Sequence, residues 1–115
     1  MRIRHVYLTD RDPQGLAEFY ERALGLPVRF ADPGRWVEFN LDGARLCVAG
    51  PDESTVQPGA GVVAVFEVDD VDAWSERVAA AGGTVGGTRD MGGHGRVRTI
   101  TDPAGNVFQL FDRPK

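Results

Sequence analysis

Two turn signals, far apart in the chain, constrain it more than anything else in the sequence. Asp42-Gly43 separates the stretches 36–41 and 44–49, each of which alternates in polarity. That is the strongest short hairpin signal present. Asp102-Pro-Ala-Gly-Asn106 separates 97–101 from a second apolar run, Val-Phe-Gln-Leu-Phe111. Pro103 fixes its φ, Gly105 can take positive φ, and Asp102 and Asn106 can bond nearby backbone. A shift of about 62 residues lays Gly43 on Gly105 and Cys47 on Gln109, as an internal repeat would.

The rest of the chain follows the same duplication. Residues 3–9 alternate as a strand, with Val6 and Leu8 on one face and His5, Tyr7 and Thr9 on the other. Asp12 is suited to cap a helix with Pro13 at its first position. Leu16, Phe19, Tyr20, Ala23 and Leu24 recur at helical spacing until Gly25 stops them. A short strand over 26–31 and the turn Asp32-Pro-Gly-Arg35 lead into the first hairpin. If Asp42 and Gly43 form its loop, Glu38 sits across from Cys47 and Asn40 across from Arg45. Val37, Phe39, Leu41, Leu46 and Val48 share the opposite face and make the core layer under the helix.

Residues 51–61 read as a linker or mobile loop, rich in Pro and Gly. Then the order restarts about 58 residues after its first appearance. Residues 62–68 form a strand, and Asp70 caps a helix with the stripe Val71, Trp74, Val78 and Ala81. Gly82-Gly83 ends it, Thr84 and Val85 begin a short strand, and 88–95 is a glycine-rich loop carrying His94. The last hairpin completes the second set. The expectation is one α+β domain of two tandem βαβββ modules, about 1–50 and 62–115. Their strands form a curved mixed sheet around a cleft, with helices on the outer face.

Composition narrows the partners. At 115 residues and 12.5 kDa the chain suits one domain. A net charge of −4 with scattered Arg and Lys excludes a phosphate-backbone binder, so no nucleic acid is expected. A single cysteine, Cys47, excludes an intrachain disulfide and a cysteine-based zinc site. With neither a signal peptide nor a long apolar run, no membrane is expected and the cytoplasm is the default.

His5, the Phe19-Tyr20…Leu24-Gly25-Leu26 helix end and Asp102-Pro-x-Gly-Asn106 together resemble the vicinal oxygen chelate superfamily, which includes glyoxalase I, bleomycin-resistance proteins and extradiol dioxygenases. The resemblance covers essentially the whole chain. It implies paired βαβββ modules, a small organic ligand in the cleft and a homodimer, sometimes with modules exchanged between chains. In metal-using members it implies ligands in the first and last strands of each module, here His5, Cys47, Val63 and Gln109. Val63 cannot ligate, and a catalytic divalent ion wants three protein donors with carboxylate charge among them. No cofactor is therefore expected. A divalent ion on His5 and Gln109, with Glu38 supplying a carboxylate, is the alternative.

The ligand-binding surface expected from this reading is His5, Tyr7, Trp36, Glu38, Cys47, Val63 and Gln109. Trp36 is placed to stack on a flat ligand, or to pack at a dimer interface. Glu38 is a general base, or a carboxylate paired with Arg45. His94 closes over a ligand as acid or base, or is an inert loop residue. Trp74 reads as core. Besides a non-catalytic interaction or accessory domain, whose cleft would be plugged by side chains, two functions stay open. One is a small-molecule binding protein that sequesters a drug or natural product. The other is a lyase, isomerase or dioxygenase-like enzyme, with catalytic candidates His5, Glu38 and His94 acting with or without metal.

Overall fold

A computed structural model describes residues 3–54, 56–59 and 61–115. Strand β1 (Val6–Thr9), helix α1 (Pro13–Leu24) and strands β2 (Val28–Asp32), β3 (Trp36–Leu41) and β4 (Ala44–Ala49) make the first module. Strand β5 (Ala64–Glu67), helix α2 (Val71–Ala80) and strands β6 (Thr84–Asp90), β7 (Arg96–Thr101) and β8 (Val107–Asp112) make the second. The fold is α+β, two tandem βαβββ modules. Each holds a four-stranded mixed sheet, in the orders β1-β4-β3-β2 and β5-β8-β7-β6. The outer strand pairs parallel in each case, β1 with β4 and β5 with β8, because the helix carries the chain across the sheet. Among the described residues, strand pairing runs within each module and does not join the two sheets.

The capping chemistry acts as the sequence dictates. Asp12 accepts from the Gly15 N–H at 3.1 Å, and Gly25 ends α1 at φ 66°. Asp70 accepts from the N–H groups of Asp72 and Ala73. Glu38 pairs with Cys47 and Asn40 with Arg45, in the register that an Asp42-Gly43 loop imposes. The other face of that hairpin, with Val37, Phe39, Leu46 and Val48, is buried under Leu16, Phe19, Tyr20 and Ala23 of α1. Each helix thus covers the face of its sheet away from the polar residues. The two helices also pack on each other, and Tyr20 meets Phe108 at 5.6 Å between ring centres. One core therefore runs through both modules.

Several local expectations change. Strand β6 continues through Gly86 and Gly87 to Asp90, where the sequence suggested a loop from residue 88. A register shift between Val85 and Thr88 absorbs the glycine pair, so pairing with β7 resumes at Thr88. Strand β5 begins at Ala64, which leaves Val62 and Val63 ahead of it and exposed. Trp74 is only half-buried. Its indole N–H donates to Asp69 at 2.8 Å, and the Arg77 guanidinium lies 5.0 Å from its ring centre.

Candidate ligand site on the first module

The hairpin register places Glu38 and Cys47 side by side, and parallel pairing sets Tyr7 beside Cys47. His5 enters just ahead of β1, and Trp36 opens β3. Trp36 packs edge-on against His5 at 5.2 Å and tilted against Tyr7 at 5.8 Å between ring centres. Five of the seven expected ligand-binding residues thus gather on one face of the first sheet. Val63 and Gln109 stand in the second module instead. There Gln109 Nε2 donates to Thr99 Oγ1 at 3.2 Å, across a directly opposed pair of β7 and β8.

Glu38 and Cys47 are buried, at 8% and 0% exposure, although they lie on the face away from the core. Cys47 Sγ donates to Glu38 Oε1 at 3.8 Å. Burial, and then the charge and hydrogen bond of Glu38, push the Cys47 thiol up to about 12. This cysteine is an inert thiol in its resting state, because the thiolate is the nucleophile. Arg29 Nη1 donates to the other carboxylate oxygen, Glu38 Oε2. Of the alternatives open for Glu38, the paired carboxylate is the one observed, with Arg29 as its partner in place of Arg45, which lies across from Asn40 as expected. An irregularity between Val28 and Phe30 re-aims β2 and brings Arg29 to Glu38. Neither residue type nor spacing signals a bulge there, so the sequence gives no warning of Arg29.

His5 Nδ1 is buried and finds no hydrogen-bond partner among the described residues. His5, Glu38 and Cys47 each offer a ligand atom, and these atoms lie within 4.8 Å of one another. The four positions that metal-using relatives would use do not fit a divalent ion here. Val63 has no donor atom, and Gln109 sits on the other sheet and is engaged with Thr99. His94 lies on an exposed single turn of 3-10 helix, Gly92–His94, between β6 and β7 of the second module. Its module differs from that of His5 and Glu38, so the acid–base trio is not assembled on one sheet.

The two sequence signatures themselves tie the end of β1 to the rest of the fold. Asp102 is buried and accepts from Tyr20 Oη at 2.8 Å, Asn106 Nδ2 at 3.0 Å and the N–H groups of Ala104 and Asn106. Asn106 Nδ2 also donates to the Thr9 carbonyl at 3.2 Å. The helix signature, the last turn and the end of β1 are thereby one network. A family model for the glyoxalase/bleomycin resistance protein/dioxygenase superfamily matches residues 2–110.

The chain belongs to this superfamily. Among solved structures, a glyoxalase-related enzyme from Fulvimarina pelagi is similar at TM-score 0.83 and 19% identity, over 99% of this chain and 90% of that one. Lactoylglutathione lyase from Agrobacterium tumefaciens is similar at TM-score 0.76 and 23% identity, over 96% and 92%. A mutant of the fosfomycin resistance protein FosX from Listeria monocytogenes, complexed with Mn(II) and a dihydroxypropylphosphonic acid, is similar at TM-score 0.76 and 19% identity, over 96% and 88%. At these identities the likeness is one of fold. No curated protein matches the chain. No helix among the described residues is long and apolar enough to cross a membrane.

Proposed function

We propose that this superfamily member is a small-molecule binding protein that holds a flat organic ligand, such as a drug or natural product, against the first sheet. The observation that carries the reading is the His5, Tyr7 and Trp36 cluster standing over a buried Glu38–Cys47 pair. Trp36 offers a large, rigid, half-buried face, and Glu38 is held by Arg29 as a fixed acceptor beneath it. The depleted donor set at the family's metal positions favours binding over metal-dependent turnover.

The second copy belongs to the same reading. Phe30 is 54% exposed at the edge of the first sheet, and Val62, Val63 and Val65 are 74%, 37% and 55% exposed on the second module. Such unpartnered apolar surface supports a homodimer in which module two of one copy closes over module one of the other. Gln109 then faces the ligand from across the interface.

Tryptophan fluorescence tests the reading. Titration with a panel of planar aromatic compounds should quench Trp36 saturably, and the quenching should vanish in Trp36→Phe while Trp74 still emits. The ligand should return chemically unchanged. Turnover of the bound compound, or quenching that survives Trp36→Phe, would count against it.

A further inference from the structure

The polar face of the first sheet continues past His5 toward the hairpin loop. His5 and Arg45 are the residues just ahead of Val6 and Leu46, which oppose each other in the parallel pair of β1 and β4. Arg45 stands two residues before Cys47 on β4 and so shares its face. It is partly buried, and its positive charge reaches Cys47, where it opposes the rise of the thiol. Beside it lies a cavity of about 390 Å³, lined by Ile3, Arg4, Asn40, Gly43, Ala44 and Arg45. That volume is in the range of small-molecule sites. Among the described residues, no acidic side chain lines it. Among them, too, neither Arg4 nor Arg45 has an ion-pair partner, whereas Arg22, Arg29, Arg35, Arg96, Arg98 and Arg113 each have one. In a chain of net charge −4, this is a local excess of positive charge with nothing built to neutralise it.

We infer that this cavity binds an oxyanion, a carboxylate or phosphonate-type group, on the same ligand whose flat ring lies on Trp36. The inference rests on the ligand reading above and narrows it to flat organic acids. A guanidinium presents paired N–H donors that match the two oxygens of an oxyanion. Two of them, with the exposed Asn40 amide beside them, can surround one such group. Arg29 cannot serve in their place, because Glu38 already neutralises it. His5 joins the two parts of the site. Its ring packs on Trp36 at 5.2 Å, and its place in the chain adjoins Arg45 across the β1–β4 pair. Two residues of strand, about 7 Å, separate Arg45 from Cys47 below the rings. A short linker between ring and acid spans that distance, and Ile3, 83% exposed, gives it an apolar wall.

Isothermal titration calorimetry on the intact chain tests this with naphthylbutanoate, naphthylpropylphosphonate and the neutral naphthylbutanamide. At least one acid should bind roughly 10-fold or more tighter than the amide, and the tighter acid names the group. Added NaCl should weaken the acids and spare the amide. Arg45→Gln should remove most of the acids' advantage and Arg4→Gln part of it, whereas Trp36→Phe should weaken all three compounds and keep their ratio. Circular dichroism checks that the variants fold. Equal affinity of acids and amide in the parent overturns the inference and leaves the ligand reading standing. So does an advantage that survives when Arg4→Gln and Arg45→Gln are combined. Acid binding that Arg45→Gln abolishes and Trp36→Phe leaves untouched keeps the oxyanion cavity and counts against the ligand reading. No binding of any of the three at millimolar concentration overturns both.

Discussion

Tyr20 Oη and Asp102 Oδ2 stand 2.8 Å apart, although 82 residues of chain separate them. The bond fastens α1 to the turn before β8, and both groups are buried. Burial first, then the negative charge and hydrogen bond of Asp102, push the Tyr20 phenol far above its ordinary range, so it remains a donor at any working pH. Tyr20→Phe keeps the ring packing against Phe19 and Phe108 but removes one donor from a buried carboxylate. Thermal or urea unfolding should show a loss of about 1–3 kcal/mol. Asp102→Ala should cost more, because it strands Tyr20, Asn106 and two backbone N–H groups together. Ligand affinity at Trp36 should change little in Tyr20→Phe.

That bond also explains how much was legible from residues alone. The helix end with Tyr20 and the Asp102-to-Asn106 turn identify the superfamily, and the contact shows why they occur together: each satisfies the other's buried polar atoms. They tie the fold together, and neither signature names a reaction. The Asp42-Gly43 hairpin fixed the opposition of Glu38 and Cys47, since a two-residue loop leaves one register. Period-two alternation assigned those two to an open face, yet they are buried. Alternation tells which side a residue takes, but it cannot tell what neighbouring strands lay over that side. Arg29 and the extended β6 were illegible for a related reason. Both depend on irregular pairing, which is decided between strands rather than along one.

Cys47 should resist alkylation. Its thiol, raised to about 12, is almost wholly protonated at pH 8, where an ordinary cysteine near 8.5 is partly ionised. Iodoacetamide should label the native chain far more slowly than the urea-unfolded one. Glu38→Gln removes a negative charge and should speed labelling. The sign of the linked stability follows. The native state holds this proton more tightly than the unfolded chain, so the contribution is intact below the unfolded value. It is lost as pH rises toward about 12. Alkaline unfolding should therefore begin at higher pH in Cys47→Ala than in the parent, when each is normalised to its own stability at pH 7.

Asp112 gives the opposite sign. Hydrogen bonds from Arg96 hold its carboxyl below the usual range, against the opposing effect of burial, and the Val71 N–H at 2.9 Å adds to the lowering. The native carboxylate is thus preferred over the unfolded one. Its contribution is present above the ordinary carboxylate pKa of ~3.9 and disappears as pH falls through the lowered native value. Asp112→Asn should lower the melting temperature at pH 7, and the gap from the parent should narrow on acidification. A gap that stays constant between pH 7 and pH 3 would contradict the role.

Gly95 adjoins this network. Its φ is 95°, and a Cβ there would run into the Asp112 carbonyl and come within 2.8 Å of the Phe111 ring. Gly95→Ala should therefore destabilise by more than the 1–3 kcal/mol typical of a strained φ alone, because backbone must also shift.

Val65 offers the sharpest test of the second copy. It lies on β5 directly across from Gln109 on β8, is 55% exposed, and continues the apolar surface begun by Val62 and Val63. No core contact is at stake on that side of β5, so Val65→Lys should leave folding intact. A lysine there would have to be desolvated in a closed interface. Light scattering at micromolar concentration should find a dimer in the parent and a monomer in Val65→Lys, at similar melting temperature when measured dilute. If dimer closure completes the ligand site, Trp36 quenching should weaken in the same variant and recover at high protein concentration, as mass action requires. A parent chain that remains monomeric across that range while binding ligand normally would show that the first sheet suffices by itself.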